Sequence, residues 1–287
     1  MPVKLVDEQY PTYILSEPLT GNYVKLVPSR GGIITSWVVA GTEQFYMDQE
    51  RFADPKLSIR GGSPILFPIC GNLPDNTYTY NGKSYTLKQH GFARDAAWQV
   101  IGSSDNSVTI ELTSSDRTLN SYPFAFQLQI TYTLVQNRLE ILQNITNLSQ
   151  ETMPFSIGLH PYFLVKNKSS VNLHIPAKTM WNNVKQVEED YAGAFDFDQP
   201  EIDNALMLDN SASCVIMQSD QGRLTVSFDP QYKVFVVWAI QGKDYICLEP
   251  WTAGRNAMNT GINLLRLAPQ TSQALRVVYT IEALAVG

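Results

Sequence analysis

The chain has 287 residues, of which 44% are hydrophobic and 17% are charged, a composition typical of a globular protein with a large core. The formal net charge of −6 argues against a nucleic-acid-binding protein, which usually presents a basic face. The longest apolar runs are far shorter than the roughly 20 residues of a membrane span. The N-terminal segment MPVKLVDEQY lacks the pattern of a secretion signal. We therefore expect a cytoplasmic protein that binds neither nucleic acid nor membrane.

The cysteines carry no recognisable motif. Cys70, Cys214 and Cys247 lie far apart in the chain, and no two of them form a CxxC pair. This spacing predicts reduced thiols and gives no metal-binding pattern. The sequence contains no nucleotide-binding motif either, so neither a metal nor a cofactor is expected.

Alternation of apolar and polar residues predicts strands along most of the chain. In the segment 78–87, Asn81-Gly82 separates alternating aromatic residues, which is typical of a hairpin turn. Four further segments alternate in the same way: SVTIELT (107–113), FAFQLQITYTL (124–134), RLTVSF (223–228) and ALRVVYTIE (274–282). The segment KVFVVWAI (233–240) is apolar on both faces, which predicts a central, covered strand.

One tract departs from this pattern. Residues 182–204 are polar, acidic and weakly periodic, so we expect a long excursion over the surface. No window shows a convincing helical stripe, and the chain has no linker or internal repeat. These features predict an all-β protein, with residues 1–287 forming a single domain built as one large antiparallel two-sheet β-sandwich.

The three histidines differ in their surroundings. His174 lies out of phase with its apolar neighbours, which predicts a structural or exposed residue. His90 precedes Gly91, which permits an unusual backbone angle or the close approach of a ligand. His160 lies inside the apolar segment SIGLHPYFLV (156–165), where a core histidine with satisfied ring nitrogens is the competing interpretation.

An arginine and a glutamate complete the set of candidates. Arg60 precedes a Gly-Gly pair in a proline-rich stretch, so it is either a ligand contact or a surface arginine in an irregular loop. Glu249 ends an apolar strand, where a carboxylate is costly unless it is protonated, hydrogen-bonded or at a wet sheet edge. Together with His90 and His160, these residues suit acid–base chemistry on a polar, uncharged ligand beside an aromatic surface.

Five blocks in order resemble the galactose mutarotase-like superfamily of aldose 1-epimerases and hexose-6-phosphate mutarotases. The blocks are RGGSPILFPICGNLP, QHGFARDAAW, GLHPYF, EIDNALML and LEPWTAG, and they run through nearly the whole chain. The resemblance implies an extended two-sheet sandwich with a sugar cleft on one face. It also implies an isomerase of carbohydrate metabolism that interconverts the α and β anomers of a hexose by opening and reclosing its ring.

The resemblance assigns a role to each matching residue. His160 matches the general acid that protonates the ring oxygen, and Glu249 matches the general base that removes the proton of the anomeric hydroxyl. His90 and Arg60 match residues that hold the hydroxyls and the region of the ring oxygen. Asp203 matches a binding aspartate. An imidazole near its solution pKa can perform this proton transfer at neutral pH.

Several residues near the expected site keep two interpretations. Arg94 either binds a sugar phosphate together with Arg60 or pairs with its neighbour Asp95. Gln89 is expected to bond a sugar hydroxyl. Trp251 belongs either to the cleft wall or to the core, and Arg255 either to the site or to the solvated surface.

The substrate also has alternatives. The segments FPICGNLP and LEPWTAG resemble the plain aldose epimerases more than the sugar-phosphate branch, so an unphosphorylated hexose is the first expectation. A glucose-6-phosphate 1-epimerase is the second. A carbohydrate-binding module without turnover is the third, although it would be expected to lack the acid or the base. The sequence is compatible with a monomer or a homodimer.

Overall fold

The computed structural model describes residues 3–282; the remaining residues of the predicted domain, 1–2 and 283–287, lie outside the described part. The described residues form twenty-five strands in chain order: β1 (Lys4–Asp7), β2 (Pro11–Ser16), β3 (Tyr23–Val27), β4 (Ile33–Val39), β5 (Thr42–Glu43), β6 (Ile65–Leu66), β7 (Thr77–Tyr80), β8 (Lys83–Thr86), β9 (Gln99–Ser103), β10 (Ser107–Thr113), β11 (Phe126–Val135), β12 (Arg138–Asn147), β13 (Met153–Phe155), β14 (Gly158–Leu159), β15 (Tyr162–Leu164), β16 (Asn172–His174), β17 (Ala177–Asn182), β18 (Val187–Asp190), β19 (Glu201–Leu208), β20 (Cys214–Ser219), β21 (Gly222–Phe228), β22 (Val234–Ile240), β23 (Tyr245–Trp251), β24 (Leu265–Leu267) and β25 (Ser272–Glu282).

Helices are short and lie between strands. The α-helices are α1 (Gln49–Ala53), α2 (Asp116–Ser121) and α3 (Ala257–Thr260), and single 3₁₀ turns cover Pro28–Arg30, Pro74–Asn76, Ala93–Asp95 and Lys168–Ser170. Within residues 3–282, no helix has the length and apolar character that a membrane span requires.

Two large antiparallel sheets carry the fold. The back sheet has the strand order β16-β20-β21-β25-β12-β11-β10-β9. The cleft sheet has the order β18-β17-β19-β22-β23-β14-β6, with β15 paired to β23. Smaller sheets, β1 to β5, β7-β8 and β13-β24, flank them. The predicted all-β fold class is confirmed.

The two large sheets share one apolar core. Ile130 and Ile141 of the back sheet belong to the same buried cluster as Val237 and Leu248 of the cleft sheet. Because successive side chains of a strand point to opposite faces, the residue after Leu248, Glu249, is directed to the other face of the cleft sheet. The alternation that builds the core therefore also aims this carboxylate away from it.

Most strand predictions are confirmed. The alternating segments form β10, β11, β21 and β25, and the covered strand is β22, which lies between β19 and β23. The predicted hairpin joins β7 to β8, with Asn81 and Gly82 at φ 49° and 75°.

The prediction for the acidic tract 182–204 was wrong in part. It contains β18, which pairs with β17 at the edge of the cleft sheet, and it ends in the first residues of β19. The side chains of β18 are largely exposed. A strand that buries neither face has no alternation of apolar and polar residues, so the sequence pattern could not predict this edge strand.

Candidate active site

A cleft of about 320 Å³ opens on the face of the cleft sheet opposite the shared core. Its walls come from segments that are far apart in sequence. They include all eight residues that the sequence singled out: Arg60, Gln89, His90, Arg94, His160, Asp203, Glu249 and Trp251. This volume lies at the lower end of the range for small-molecule sites, roughly 300–1,000 Å³, so the cleft suits a small ligand.

A histidine and a glutamate form the centre of the cleft. Nε2 of His160 lies 3.4 Å from Oε1 of Glu249. His160 follows β14, and its backbone N–H donates to the carbonyl of Pro64 at 3.0 Å. The two side chains are deeply buried, with 8% of His160 and 1% of Glu249 exposed. Glu249 lies inside β23, between β22 and β14, so the alternative of a wet sheet edge is excluded.

Burial sets the protonation of this pair. Burial lowers the pKa of His160 to about 3, with a further contribution from the positive charge of Arg94. Burial and the negative charge of Asp203 raise the pKa of Glu249 well above its usual value. A single proton shared by the pair is therefore held by Glu249, and the imidazole is neutral. The expectation of an imidazole near its solution pKa was wrong, because its burial and the charge of Arg94 both come from packing of segments that are distant in sequence.

His90 is held in one tautomer by a backbone contact. Its Nδ1 accepts a hydrogen bond from the backbone N–H of Gly71 at 3.1 Å, and the backbone N–H of His90 donates to the Gly71 carbonyl at 2.7 Å. Burial and the charge of Arg94 lower the pKa of His90 well below its usual value, so the ring is neutral. With Nδ1 accepting, the ring proton resides on Nε2, which makes His90 a hydrogen-bond donor.

The loop that carries His90 depends on Gly91. His90 and Gly91 have φ of 66° and 70°, both in the left-handed region. A Cβ atom at position 91 would overlap the carbonyl oxygen of Phe67. The predicted unusual backbone angle is confirmed, and the group that approaches Gly91 closely is the Phe67 carbonyl, not a ligand.

Substitution of Gly91 by alanine is expected to destabilise the protein by about 2–4 kcal/mol, from left-handed strain together with the steric overlap. Thermal unfolding monitored by circular dichroism measures the effect. Gly102→Ala is the matched control, because a Cβ at Gly102 meets no neighbouring atom. Equal melting temperatures for the two variants would contradict this account of the loop.

Asp203 and Arg255 form the shortest ion pair of the cleft. Nη2 of Arg255 lies 2.9 Å from Oδ2 of Asp203, and the amide of Asn183 donates to Oδ1 of Asp203 at 3.0 Å. The Arg255 guanidinium also lies 5.8 Å from the ring of Trp251. Arg255 therefore belongs to the cleft and not to the solvated surface. The sequence signal for this location was the position of Arg255 just after the strand that carries Glu249.

Arg94 does not pair with Asp95. The two residues lie in one 3₁₀ turn, Asp95 is exposed, and Arg94 lines the cleft. Among residues 3–282 Arg94 forms no ion pair, and its buried Nε has no hydrogen-bond partner. The local ion-pair interpretation was wrong, because adjacent side chains of such a turn diverge.

Three arginines that line the cleft, Arg51, Arg60 and Arg94, form a cationic rim. The buried guanidinium of Arg30 supports the first two, because it donates to the carbonyls of Asp54 and Leu57 at 2.8 and 2.7 Å in the intervening loop. Arg51 was missed by the sequence interpretation, since nothing in its short helix α1 distinguishes it from a surface arginine.

Aromatic rings also line the cleft. Trp238 has its Nε1 bonded to Oε1 of Glu201 at 2.8 Å, and the Arg60 guanidinium lies 5.5 Å from its ring. Tyr162 stacks on His160 with ring centroids 4.9 Å apart. Trp251 is 1% exposed and lines the cleft, so both of its interpretations hold. The sequence interpretation missed Trp238, Tyr162 and Glu201.

The remaining residues discussed from the sequence are Gln89 and His174. Gln89 is exposed at the mouth of the cleft. His174 is exposed in β16, on the back sheet, as its phase predicted.

Comparison with known proteins agrees with this architecture. The sequence model of the family described as "Aldose 1-epimerase" matches residues 20–274. The chain belongs to the aldose 1-epimerase family. The resemblance inferred from the five sequence blocks is thereby confirmed.

Three similar proteins show the extent of the relationship. Slr1438 of Synechocystis sp. PCC 6803 is 41% identical, with 98% of each chain covered and a TM-score of 0.93. Protein LacX of Lactococcus lactis subsp. lactis is 28% identical over 78% of this chain and 83% of its own length. A Cenchrus ciliaris protein with the provisional name glucose-6-phosphate 1-epimerase is 25% identical over 79% of this chain and 67% of its own.

Proposed function

We propose that this member of the family is an aldose 1-epimerase that interconverts the α and β anomers of a hexose. The observation that carries the proposal is the buried pair of His160 and Glu249 at 3.4 Å, at the centre of a cleft of sugar size. A sugar-binding module has no need of a buried acid–base pair, whose ionisable groups are costly to desolvate.

The proposed reaction needs only one proton on the pair. Glu249 takes the proton of the C1 hydroxyl while the His160 imidazolium donates its proton to the ring oxygen, and the bond between C1 and the ring oxygen breaks. After rotation about the C1–C2 bond, the carbonyl is attacked from its other face. The ring oxygen returns its proton to His160, and Glu249 returns one to the new C1 hydroxyl. The pair therefore ends as it began.

The protonation of the substrate-free cleft matches the ring-opened stage of this cycle. There the imidazole is neutral and the proton is on Glu249. A C1 hydroxyl that donates to Glu249 stabilises the carboxylate form. Binding of the closed sugar thus favours transfer of the proton across the 3.4 Å contact to His160. The Nε2–H of His90 is suited to donate to a sugar oxygen, and Trp238 offers a face for the ring.

A hexose 6-phosphate is the second candidate substrate. It is supported by the cationic rim of Arg51, Arg60 and Arg94, none of which forms an ion pair among residues 3–282. Uncompensated guanidinium groups bind phosphate through charge-assisted hydrogen bonds. The provisional name of the Cenchrus ciliaris relative points to the same class.

One set of assays tests both candidates. Polarimetry follows freshly dissolved α-glucose and α-galactose, and anomer-exchange NMR follows glucose 6-phosphate. Acceleration of the free sugars alone supports the aldose 1-epimerase, and acceleration of the phosphate alone supports the second candidate. If neither is accelerated, both fail and the binding module becomes the better explanation. The cytoplasmic location, the single domain and the monomeric or homodimeric state stay predictions.

Arg94→Gln sharpens the distinction. For a phosphorylated substrate, loss of one charge-assisted contact is expected to raise KM by about tenfold or more, with little change for glucose. Arg117→Gln is the matched control, because Arg117 is exposed and lies outside this cleft. An unchanged KM for glucose 6-phosphate in Arg94→Gln would remove Arg94 from phosphate recognition.

A further inference from the structure

A cysteine lies beside the proposed catalytic pair and has no role in the proton transfer. Cys247 precedes Glu249 by two positions on β23, so both side chains point to the cleft face. Its thiol sulfur, a ring nitrogen of His160 and a carboxylate oxygen of Glu249 all lie within 4.8 Å of one another. All three residues are buried, with exposures of 0%, 8% and 1% in that order.

This set has the chemistry of a zinc site. Thiolate sulfur, imidazole nitrogen and carboxylate oxygen are the ligands that Zn²⁺ prefers, and three protein ligands leave a fourth position open. With Zn–N and Zn–O near 2.0–2.1 Å and Zn–S near 2.3 Å, tetrahedral ligands lie about 3.3–3.8 Å apart. The observed atoms lie within 4.8 Å of one another, so the longest separation would shorten by up to about 1.0–1.5 Å to reach that spacing.

Each member of the catalytic pair also has one buried polar atom that lacks a partner. Within the described residues 3–282, Oε2 of Glu249 and Nδ1 of His160 are buried and have no hydrogen-bond partner. Buried polar atoms without a partner are uncommon, and each one calls for an explanation. The carboxylate of Asp203 adds negative charge nearby, whereas Arg60, Arg94 and Arg255 oppose a cation, which favours a site of moderate affinity.

We propose that His160, Cys247 and Glu249 form a Zn²⁺-binding site that inhibits the protein when it is occupied. Because Zn²⁺ binds the thiolate and carboxylate forms, its binding displaces any proton from Cys247 and Glu249. The metal then occupies the lone pairs of both members of the pair, so neither group can exchange a proton with a sugar. No metal-binding pattern is visible in the sequence because the three ligands lie on two separate segments. The inhibition rests on the proposed function, whereas the binding does not.

Cys247→Ala and Cys214→Ala test the site. Cys214 lies in β20 of the back sheet and is the matched control. Calorimetry of the metal-free protein with Zn²⁺ is expected to show one equivalent bound by the wild type and the control. The affinity of Cys247→Ala for Zn²⁺ should fall by more than about tenfold, because loss of a group that only hydrogen-bonds to a metal ligand already lowers metal affinity about that much. Co²⁺ should give a sulfur-to-metal charge-transfer band that Cys247→Ala lacks.

Activity is the second readout. Zn²⁺ is expected to abolish anomer exchange by the wild type and by Cys214→Ala, reversibly with a chelator, and to leave Cys247→Ala active at the same concentration. Equal inhibition of wild type and Cys247→Ala, or cobalt binding without the band, would overturn the site. If Zn²⁺ binds through Cys247 but no form of the protein accelerates anomer exchange, the site stands and the proposed function fails. Cys247→Ser, closer in size to cysteine, replaces Cys247→Ala if the latter does not fold.

Discussion

Glu249→Gln is expected to lower the rate of anomer exchange by about 10³-fold or more, at the upper range of general base catalysis. Glutamine keeps the shape and the hydrogen-bonding capacity of the side chain but cannot take the proton of the C1 hydroxyl. Polarimetry measures the rate. Sugar binding, followed by the fluorescence of Trp238 and Trp251, should persist, because the rest of the cleft is unchanged.

The same variant should be more stable than the wild type at alkaline pH. The pKa of Glu249 is raised in the folded protein, so its favourable contribution is complete below the pKa of the unfolded chain, about 4.5. That contribution is lost as pH rises through the folded pKa, at about 1.4 kcal/mol per pH unit until the folded group ionises. The melting temperature of Glu249→Gln should therefore exceed that of the wild type by several degrees at pH 8, with a smaller difference at pH 5.

Glu140→Gln serves as the control for both measurements. Glu140 lies on β12 of the back sheet and pairs with Arg138 at 2.6 Å. This variant should keep full activity and show no growing stability gain with pH. Retention of more than about a tenth of wild-type activity by Glu249→Gln would exclude the carboxylate as the base, since such a base contributes 10²-fold or more.

His160→Asn is expected to lower anomer exchange by about 10³-fold as well, because asparagine cannot donate and recover the proton of the ring oxygen. The variant should also resist acid better than the wild type. The pKa of His160 is depressed to about 3 in the folded protein. Its contribution to stability is therefore complete above the unfolded pKa of about 6.5 and is lost as pH falls towards the folded value.

His174→Asn is the matched control, since it makes the same substitution at an exposed histidine on the opposite sheet. It should leave both the rate and the acid stability unchanged. If His160→Asn loses activity but unfolds at the same pH as the wild type, the neutral state assigned to the buried imidazole is wrong. If both variants lose activity equally, the loss does not report on the cleft.

Local pattern was enough to predict much of this molecule. Alternation within β11, β21 and β25 depends on one sheet face being apolar and the other polar, which is a property of the segment itself. Prediction from alternation failed for β18, an edge strand that buries neither face. The motifs around His90, His160 and Glu249 named the candidate residues, and the structure brings these three into one cleft.

The neighbours of those residues could not be predicted in the same way. Asp203 and Arg255 are paired by the adjacency of β19, β22 and β23 and not by any local motif. Arg94 turns away from Asp95 because of the geometry of one short turn. Arg51 and Trp238 reach the cleft from segments that carry no distinguishing pattern.

The sequence by itself determined an all-β sandwich, a resemblance to the aldose epimerases and the residues that could act as acid and base. Only the tertiary structure decided their protonation, their partners and the presence of Cys247 among them. The physical reason is that these two kinds of information act over different distances along the chain. Side-chain alternation is a local property of each strand, whereas burial and the charges of Arg94 and Asp203 act on His160 and Glu249 through space, across segments that the chain order keeps far apart.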